Sequence, residues 1–325
     1  MKIGKLIKKV LLVICVLVLL VMVLIGGLFL FAAYKNDHYY NFSSAAGKIE
    51  KEYATLGSAD TMLLEYDAED EIIGKYRIWY PKELINTDMS YPLVIIVNGT
   101  GTPSSMIDGV MKHLASWGFI VAGNEDENSR TGASSESTLV FLMSLNEDPE
   151  SVFYHRIDTE HVGITGHSQG GVGAFNAVTA QEHGSVYSAI WSISPTSPYW
   201  GQENVFGKEW AYDLSELTIP CAMVAGTGAF DSGEAEDITP TSGQGICPLW
   251  ALDMNYNAIS DSVPKLIGRL TDKDHGDTLR DSDGYMTAWF CYWLKGDEEA
   301  GKAFFGESPE MADNSSWQDV RICIK

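Results

Sequence analysis

Val162-Gly163-Ile164-Thr165-Gly166-His167-Ser168-Gln169-Gly170-Gly171 is the stretch on which the reading of this chain turns. A short apolar β-run ends in Gly166-His167-Ser168-Gln169-Gly170, and a small-residue helix pattern follows from Val172 to Ala180. A G-x-S-x-G string alone is also compatible with a plain tight turn. Set between a strand and a helix, it reads as a nucleophile elbow. The turn forces Ser168 into a strained backbone conformation, and side chains at 166 and 170 would collide with the neighbouring strand and helix. The hydroxyl then stands clear of the sheet, above a helix N-terminus whose free N–H groups can stabilise developing negative charge.

Outward from the elbow, strand and helix patterns alternate. Thr61 to Tyr66 and Ile72 to Tyr80 predict a hairpin around the acidic turn Asp67 to Glu71. Pro92 to Val97 is a continuous apolar run, as expected of a strand buried on both faces. Met106 to Trp117 predicts a helix, Phe119 to Ala122 a strand and Ser134 to Leu145 a helix, before the elbow strand and its helix. Ser188 to Ile193, Cys221 to Gly226 and Lys265 to Thr271 predict further strands, and Pro248 to Ala258 and Gly284 to Leu294 further helices. Such alternation predicts an α/β fold, a mostly parallel central sheet with helices on both faces.

A serine is a poor nucleophile at neutral pH and needs an imidazole base oriented by a carboxylate. After an elbow serine these partners follow in the order acid, then histidine. Of the seven histidines only His183 and His275 lie after Ser168. His183 ends the elbow helix, before any later strand could supply the acid, and reads as a surface or capping residue. His275, in the polar loop Thr271 to Asp277, is the expected base. His167 flanks the nucleophile and is expected to pack beside the site. The acid should follow the Cys221–Gly226 strand. Asp231 is the first carboxylate there, with Glu234, Glu236 and Asp237 close behind as alternatives.

The oxyanion hole needs two backbone N–H donors. Gln169, next after the nucleophile, should give one. The loop Asn98-Gly99-Thr100-Gly101-Thr102 should give the other through Thr100, unless it is only a glycine-rich turn.

The first 35 residues read as a separate unit. Lys2, Lys5, Lys8 and Lys9 precede an uncharged apolar run from Val10 to Ala33, long enough for a helix across a bilayer core of about 30 Å. A cleaved signal peptide usually has a shorter apolar region of roughly 7–15 residues, so a retained anchor is favoured over cleavage near Ala33. The basic flank should stay cytoplasmic, leaving the chain beyond Tyr34 outside the cytosol. Residues 36–58 read as a stem with a helical stretch from Ala45 to Ala54, and residues 59–325 as one catalytic domain. Five of the 22 Lys and Arg sit in residues 1–35 with no acid among them, leaving 17 against 44 Asp and Glu, a formal net charge of −27. That field disfavours nucleic acid and anionic lipid as partners. Cys15 falls in the apolar run. Cys221, Cys247, Cys291 and Cys323 allow three pairings or none, with Cys291–Cys323 preferred because it would tie the tail to the last helix. No C-x-x-C or clustered His/Cys spacing suggests a metal, and the chemistry needs no cofactor, although an acidic surface leaves room for a structural cation.

From about Tyr76 to Phe305 the chain resembles the cutinase-like polyester hydrolases, poly(ethylene terephthalate) hydrolases among them, and the related dienelactone hydrolase and chlorophyllase-type esterases. The resemblance is carried by the oxyanion loop, Ser104-Ser105-Met106, Leu114-Ala115-Ser116-Trp117-Gly118-Phe119-Ile120-Val121, Asp158-Thr159, the elbow, Thr218-Ile219-Pro220, and Ala288-Trp289-Phe290 running on to Gly296-Asp297. It implies an α/β-hydrolase fold without a lid domain, ester hydrolysis, and Ser168, Asp231 and His275 as the triad. Three departures stand out. Thr100 occupies the usual aromatic position of the oxyanion loop. Thr196, after Pro195, occupies the usual position of a tryptophan, for which Tyr199 or Trp200 could compensate. The Asp231–Gly245 loop is longer. Thr196, Trp200 and His167 are therefore the candidate substrate contacts, and a small acyl ester is favoured over an aromatic polyester. An amidase, peptidase or transacylase on the same triad stays open, as does a non-catalytic anchored binding module.

Overall fold

The computed structural model describes residues 2–43 and 45–323. Among them nine strands form a single sheet: β1 (Thr61–Asp67), β2 (Lys75–Pro81), β3 (Tyr91–Val97), β4 (Ile120–Asn124), β5 (Ile157–His167), β6 (Tyr187–Ile193), β7 (Cys221–Gly226), β8 (Lys265–Leu270) and β9 (Trp317–Cys323). Their spatial order is β1-β2-β4-β3-β5-β6-β7-β8-β9. Strands β3 to β8 pair in parallel, while β1, β2 and β9 are antiparallel to their neighbours.

The helices are α1 (Lys2–Asp37), α2 (Lys48–Tyr53), α3 (Asp108–Ser116), α4 (Ala133–Glu147), α5 (Gln169–Thr179), α6 (Ala229–Ser232), α7 (Leu249–Ala258), α8 (His275–Asp281), α9 (Asp283–Lys295), α10 (Glu298–Gly301) and α11 (Glu310–Asp313). The apolar run of β3 explains how they divide. Successive side chains of a strand point to opposite faces. Leu93, Ile95 and Val97 therefore enter one core with α4, α5 and α7, and Val94 and Ile96 enter the other with α3, α8 and α9. All five are buried, each contributing about 1.5–3 kcal/mol of transfer free energy. This is the α/β-hydrolase arrangement. Because β3, β5, β6, β7 and β8 run in parallel, the loops after β3, β5, β7 and β8 emerge on one edge of the sheet. Thr100, Ser168, Asp231 and His275 all lie in the segments that follow these strand ends, Asp231 in the short α6 and His275 at the start of α8.

Several expectations need correction. The Met106–Trp117 helix begins later, at Asp108, after a single 3-10 turn over Ser104–Met106. His275 opens helix α8 instead of lying in a loop. Strand β9 is not legible in the sequence because its polar residues break the alternation and it is an edge strand, buried only at Trp317. The segment read as a stem is docked. Tyr39, Glu50 and Tyr53 are buried, and the Glu50 carboxylate accepts from Asn314 Nδ2 at 2.8 Å and Trp317 Nε1 at 2.7 Å. Nor is Cys291 bonded to Cys323. All five cysteines are free thiols; Cys291 is buried on α9, whereas Cys323 ends β9 with its thiol toward the carbonyl of Asp261. Helix α1 is exposed along its apolar length, and residues Ile7–Asp37 are long and apolar enough to cross a membrane or to act as a signal sequence.

Candidate active site

The elbow is built as its residues require. Ser168 sits between β5 and α5 with φ of 62° and ψ of −126°, a conformation that costs about 1–3 kcal/mol and is kept only where the surroundings enforce it. They do so through close backbone approach. A Cβ on Gly170 would lie 2.3 Å from the carbonyl oxygen of Val97, and one on Gly166 would lie 2.2 Å from that of Gly170.

Ser168 Oγ lies 3.0 Å from His275 Nε2. On the other side of the ring, His275 Nδ1 donates to Asp231 Oδ1 at 2.7 Å. A carboxylate can only accept there, so the proton belongs on Nδ1 and the lone pair of Nε2 faces the serine hydroxyl. Asp231 is fully buried. Its second oxygen accepts from Ser194 Oγ at 2.7 Å and from the backbone N–H of Gly226 at 2.7 Å. The alternatives Glu234, Glu236 and Asp237 do not reach the ring: none is buried as Asp231 is, and Asp237 is taken up in a local turn with Thr239.

His167 lies behind His275. The rings are 4.4 Å apart between centroids, and His167 Nε2 donates to the His275 carbonyl at 2.8 Å. Burial, then the neighbouring His275, push its pKa down to about 4. His167 is therefore neutral near pH 7 and adds no charge beside the His275 ring. The His275 carbonyl also accepts from Thr278 Oγ1 at 3.0 Å, and Thr278 Oγ1 lies 2.9 Å from Ser194 Oγ. The supports of Asp231 and His275 thus form one continuous network.

The oxyanion loop is fixed by side chains at its base. Buried Asn98 donates to the carbonyls of Asn124 at 2.7 Å and Asp126 at 2.8 Å, and accepts from Ser104 Oγ at 2.9 Å. Thr100 is exposed at the tip. The backbone N–H of Gln169 opens α5, where the first N–H groups of a helix lack intrahelical acceptors. Its buried side chain donates to the Glu127 carbonyl at 2.5 Å, the same carbonyl that takes Gly101 N–H at 3.5 Å. One oxygen therefore links both elements expected to form the oxyanion hole.

Of the candidate substrate contacts, Thr196 is buried, its hydroxyl without a hydrogen-bond partner among the described residues. Trp200 donates to the Gly245 carbonyl at 3.2 Å and stacks on Phe206 at 5.0 Å. Phe206 meets Trp210, over which Arg130 lies at 5.0 Å. Phe230, not singled out from sequence, is 60% exposed and edge-on to the His275 ring at 5.3 Å. Asp274 was also missed. It caps α8 in a box with Asp277, and the Asp-His-Gly-Asp spacing was the available signal. His183, expected at the surface, is exposed and pairs with Glu136 at 2.5 Å. Together with Glu182 it could gather around a cation, but that group lies beyond the C-terminal end of α5, opposite Ser168.

The family model for PETase, described as PET hydrolase-like, matches residues 33–245. The chain belongs to the PET hydrolase-like family. No curated protein matches it. As a PET hydrolase-like protein the chain is a hydrolase of the α/β-hydrolase type. The PET hydrolase-like match takes in the oxyanion loop, the elbow and Asp231 and stops short of His275. What ties that histidine to the site is its pair of contacts to Ser168 and Asp231.

Proposed function

We propose that the protein is a membrane-anchored serine esterase that hydrolyses carboxylic esters through an acyl-enzyme. The observation that carries this reading is the hydrogen-bonded chain Ser168–His275–Asp231 at an elbow. Ser168 Oγ attacks the ester carbonyl carbon while His275 Nε2 takes the hydroxyl proton. Asp231 keeps the ring in its reactive tautomer and stabilises the imidazolium. The N–H groups of Thr100 and Gln169 receive the tetrahedral oxyanion. Collapse of that intermediate breaks the C–O bond, and the imidazolium protonates the departing alkoxide. Water, deprotonated by His275, then attacks the acyl-Ser168 carbonyl, and the acid leaves as the serine regains its proton.

Small acyl esters are the favoured substrates. With Thr100 at the loop tip and buried Thr196 after β6, neither position offers an aromatic ring to clamp an aromatic polyester. The anchor is α1, its lysines cytoplasmic and the hydrolase domain on the outer side of the membrane.

The test is hydrolysis of p-nitrophenyl esters from acetate to dodecanoate by the detergent-solubilised chain, beside Ser168→Ala and a matched anilide series. Ester turnover that vanishes in the variant is expected, with an optimum at short acyl chains. Turnover unchanged by Ser168→Ala, or anilides cleaved faster than esters, would overturn the reading.

A further inference from the structure

The charge of the chain is uneven where α1 meets the rest of the molecule. Residues 36–325 carry 17 Lys and Arg against 44 Asp and Glu. Yet a cavity of about 290 Å³ at the end of α1 gathers Lys35, Lys273 and Arg280, together with Asn36, Asp277 and Asp281.

The partners of these groups show where positive charge is left over. Lys273 Nζ is paired with Asp281 at 2.7 Å. The Asp277 carboxylate is engaged in the cap of α8, accepting the N–H of Asp274 at 3.2 Å. Among the described residues neither Lys35 nor Arg280 has a carboxylate within ion-pair distance. Arg280 donates to the side-chain oxygen of Asn36, a neutral acceptor for a guanidinium with five N–H donors. Burial pulls its pKa below the ordinary arginine value, although Tyr39, Asp281 and Asp277 nearby pull it the other way. Among the described residues Lys35 lies over the ring of Phe42, 5.9 Å from its centroid.

Position indicates which anion would suit these cations. Lys35 is in the last turn of α1, two residues past the apolar run that ends at Ala33, and a spanning helix places such a residue at the level of the lipid headgroups. Ala32 and Phe42 line the same cavity, and Phe42 packs edge-on against Phe31 of α1 at 6.5 Å. The lining therefore carries three cations against two carboxylates, beside apolar groups of α1 and Phe42. Free phosphate would use only the cations. A phospholipid would use both the cations and the apolar groups.

We propose that this cavity binds the phosphate of an anionic membrane phospholipid through Lys35 and Arg280, with Lys273 as a third cation and the acyl chains along Phe31 and Phe42. The inference rests on reading α1 as a membrane helix. Its consequence reaches the hydrolase site, because Lys273 and Arg280 flank His275 on the loop and helix that carry it. The lipid would hold that edge of the acidic domain against the bilayer, within reach of esters at the membrane surface.

The experiment uses the full chain. Vesicle flotation first establishes insertion. Native mass spectrometry from mild detergent then counts retained phosphatidylglycerol and phosphatidylcholine, with and without ~10 mM inorganic phosphate. Phosphatidylglycerol should be retained at least fivefold over phosphatidylcholine and resist phosphate. Lys35→Gln and Lys273→Gln, both outside the core, should each lower that preference about fivefold, the effect of one basic group near a lipid surface. Arg280→Gln should abolish it, with its melting temperature measured in parallel. Equal retention of both lipids, displacement by inorganic phosphate, or a preference untouched in the two lysine variants would overturn the site. A chain that does not float with vesicles would overturn the membrane reading of α1 and the site with it.

Discussion

The carboxylate of Asp274 accepts the backbone N–H of Asp231 at 3.0 Å, across the gap between the loops that follow β7 and β8. It also accepts the N–H of Phe230 at 3.1 Å and of its own neighbour His275 at 2.8 Å. Among the described residues Asp274 makes no hydrogen bond to Ser168; its carboxylate accepts from backbone N–H groups. It clamps the backbone of the proposed acid to the backbone of the proposed base. Burial pushes its pKa up, but the three N–H donors outweigh this and hold it below the usual carboxylate value. The clamp is thus charged above about pH 4 and is lost only as pH falls through the lowered pKa. Asp274→Asn should lower kcat about tenfold to a hundredfold, the scale of a misplaced catalytic group, with KM nearly unchanged. Steady-state kinetics on a p-nitrophenyl ester checks this, and a rise in KM at constant kcat would sink the positioning role.

The sequence makes some parts of this molecule legible and hides others, for physical reasons. The sheet centre was readable because β3 and β7 are buried on both faces and so are apolar throughout. The elbow was readable because close backbone approach leaves glycine no substitute at 166 and 170. Asp231 and His275 could be placed because strand order limits which loops share an edge with Ser168. What stayed hidden depends on tertiary contacts with no local period. Strand β9 has one buried end, and the 36–58 segment is held by single buried groups such as Glu50 and Tyr53. Asp274 looked like one more acid in a polar run, since two of the N–H groups it accepts from lie 43 and 44 residues away. The preferred Cys291–Cys323 pairing failed because sequence proximity to an element end says nothing about which way a thiol points.

Asp231→Asn tests the acid directly. The exchange keeps the size of the side chain but puts an N–H2 or a neutral oxygen against His275 Nδ1. It should favour the wrong tautomer and lower kcat about 10⁴-fold. Ser194→Ala removes one of the two donors to Asp231 Oδ2 and leaves the N–H of Gly226. Its cost should be about 1 kcal/mol, roughly a fivefold loss in kcat/KM. If Asp231→Asn kept near wild-type turnover, the acid would have to be sought elsewhere in the following loop.

Thr100 is exposed at the tip of the oxyanion loop, so a larger ring there need not disturb the core. Thr100→Tyr should add a stacking surface worth about 0.5–1.5 kcal/mol to an aromatic acyl group. The ratio of kcat/KM for a terephthalate diester over p-nitrophenyl butyrate should therefore rise about threefold to tenfold. An unchanged ratio would mean that position 100 does not face the acyl group. Thr196→Trp is a poor companion, because Thr196 is only 3% exposed and the added volume would overpack its surroundings.

His113 provides a test of how the segment after α1 is held. Its side chain is fully buried, with Nδ1 2.7 Å from Asp283 Oδ2 and Nε2 2.6 Å from the Thr55 carbonyl. A carboxylate and a carbonyl both accept, so this pair of contacts favours the ring with a proton on each nitrogen. Burial pushes its pKa down, but the charge and hydrogen bond of Asp283 and the carbonyls of Thr55 and Ala54 outweigh that and raise it above 6.5. Tyr39 OH donates to the same Asp283 carboxylate, and the Tyr40 ring stacks on His113 at 6.2 Å. A histidine raised on folding contributes stability that is complete below about pH 6.5 and is lost as pH climbs through the raised pKa. The melting temperature of the chain should thus fall between pH 6 and 9. His113→Gln, which leaves Asp283 short of its charged partner, should lose about 3–5 kcal/mol at the acidic end of that range and show a flatter dependence across it. Parallel pH slopes for the two proteins, followed by calorimetry in one detergent, would show that His113 does not titrate there and that the pair does not fasten Tyr39 and Tyr40 to the domain through charge.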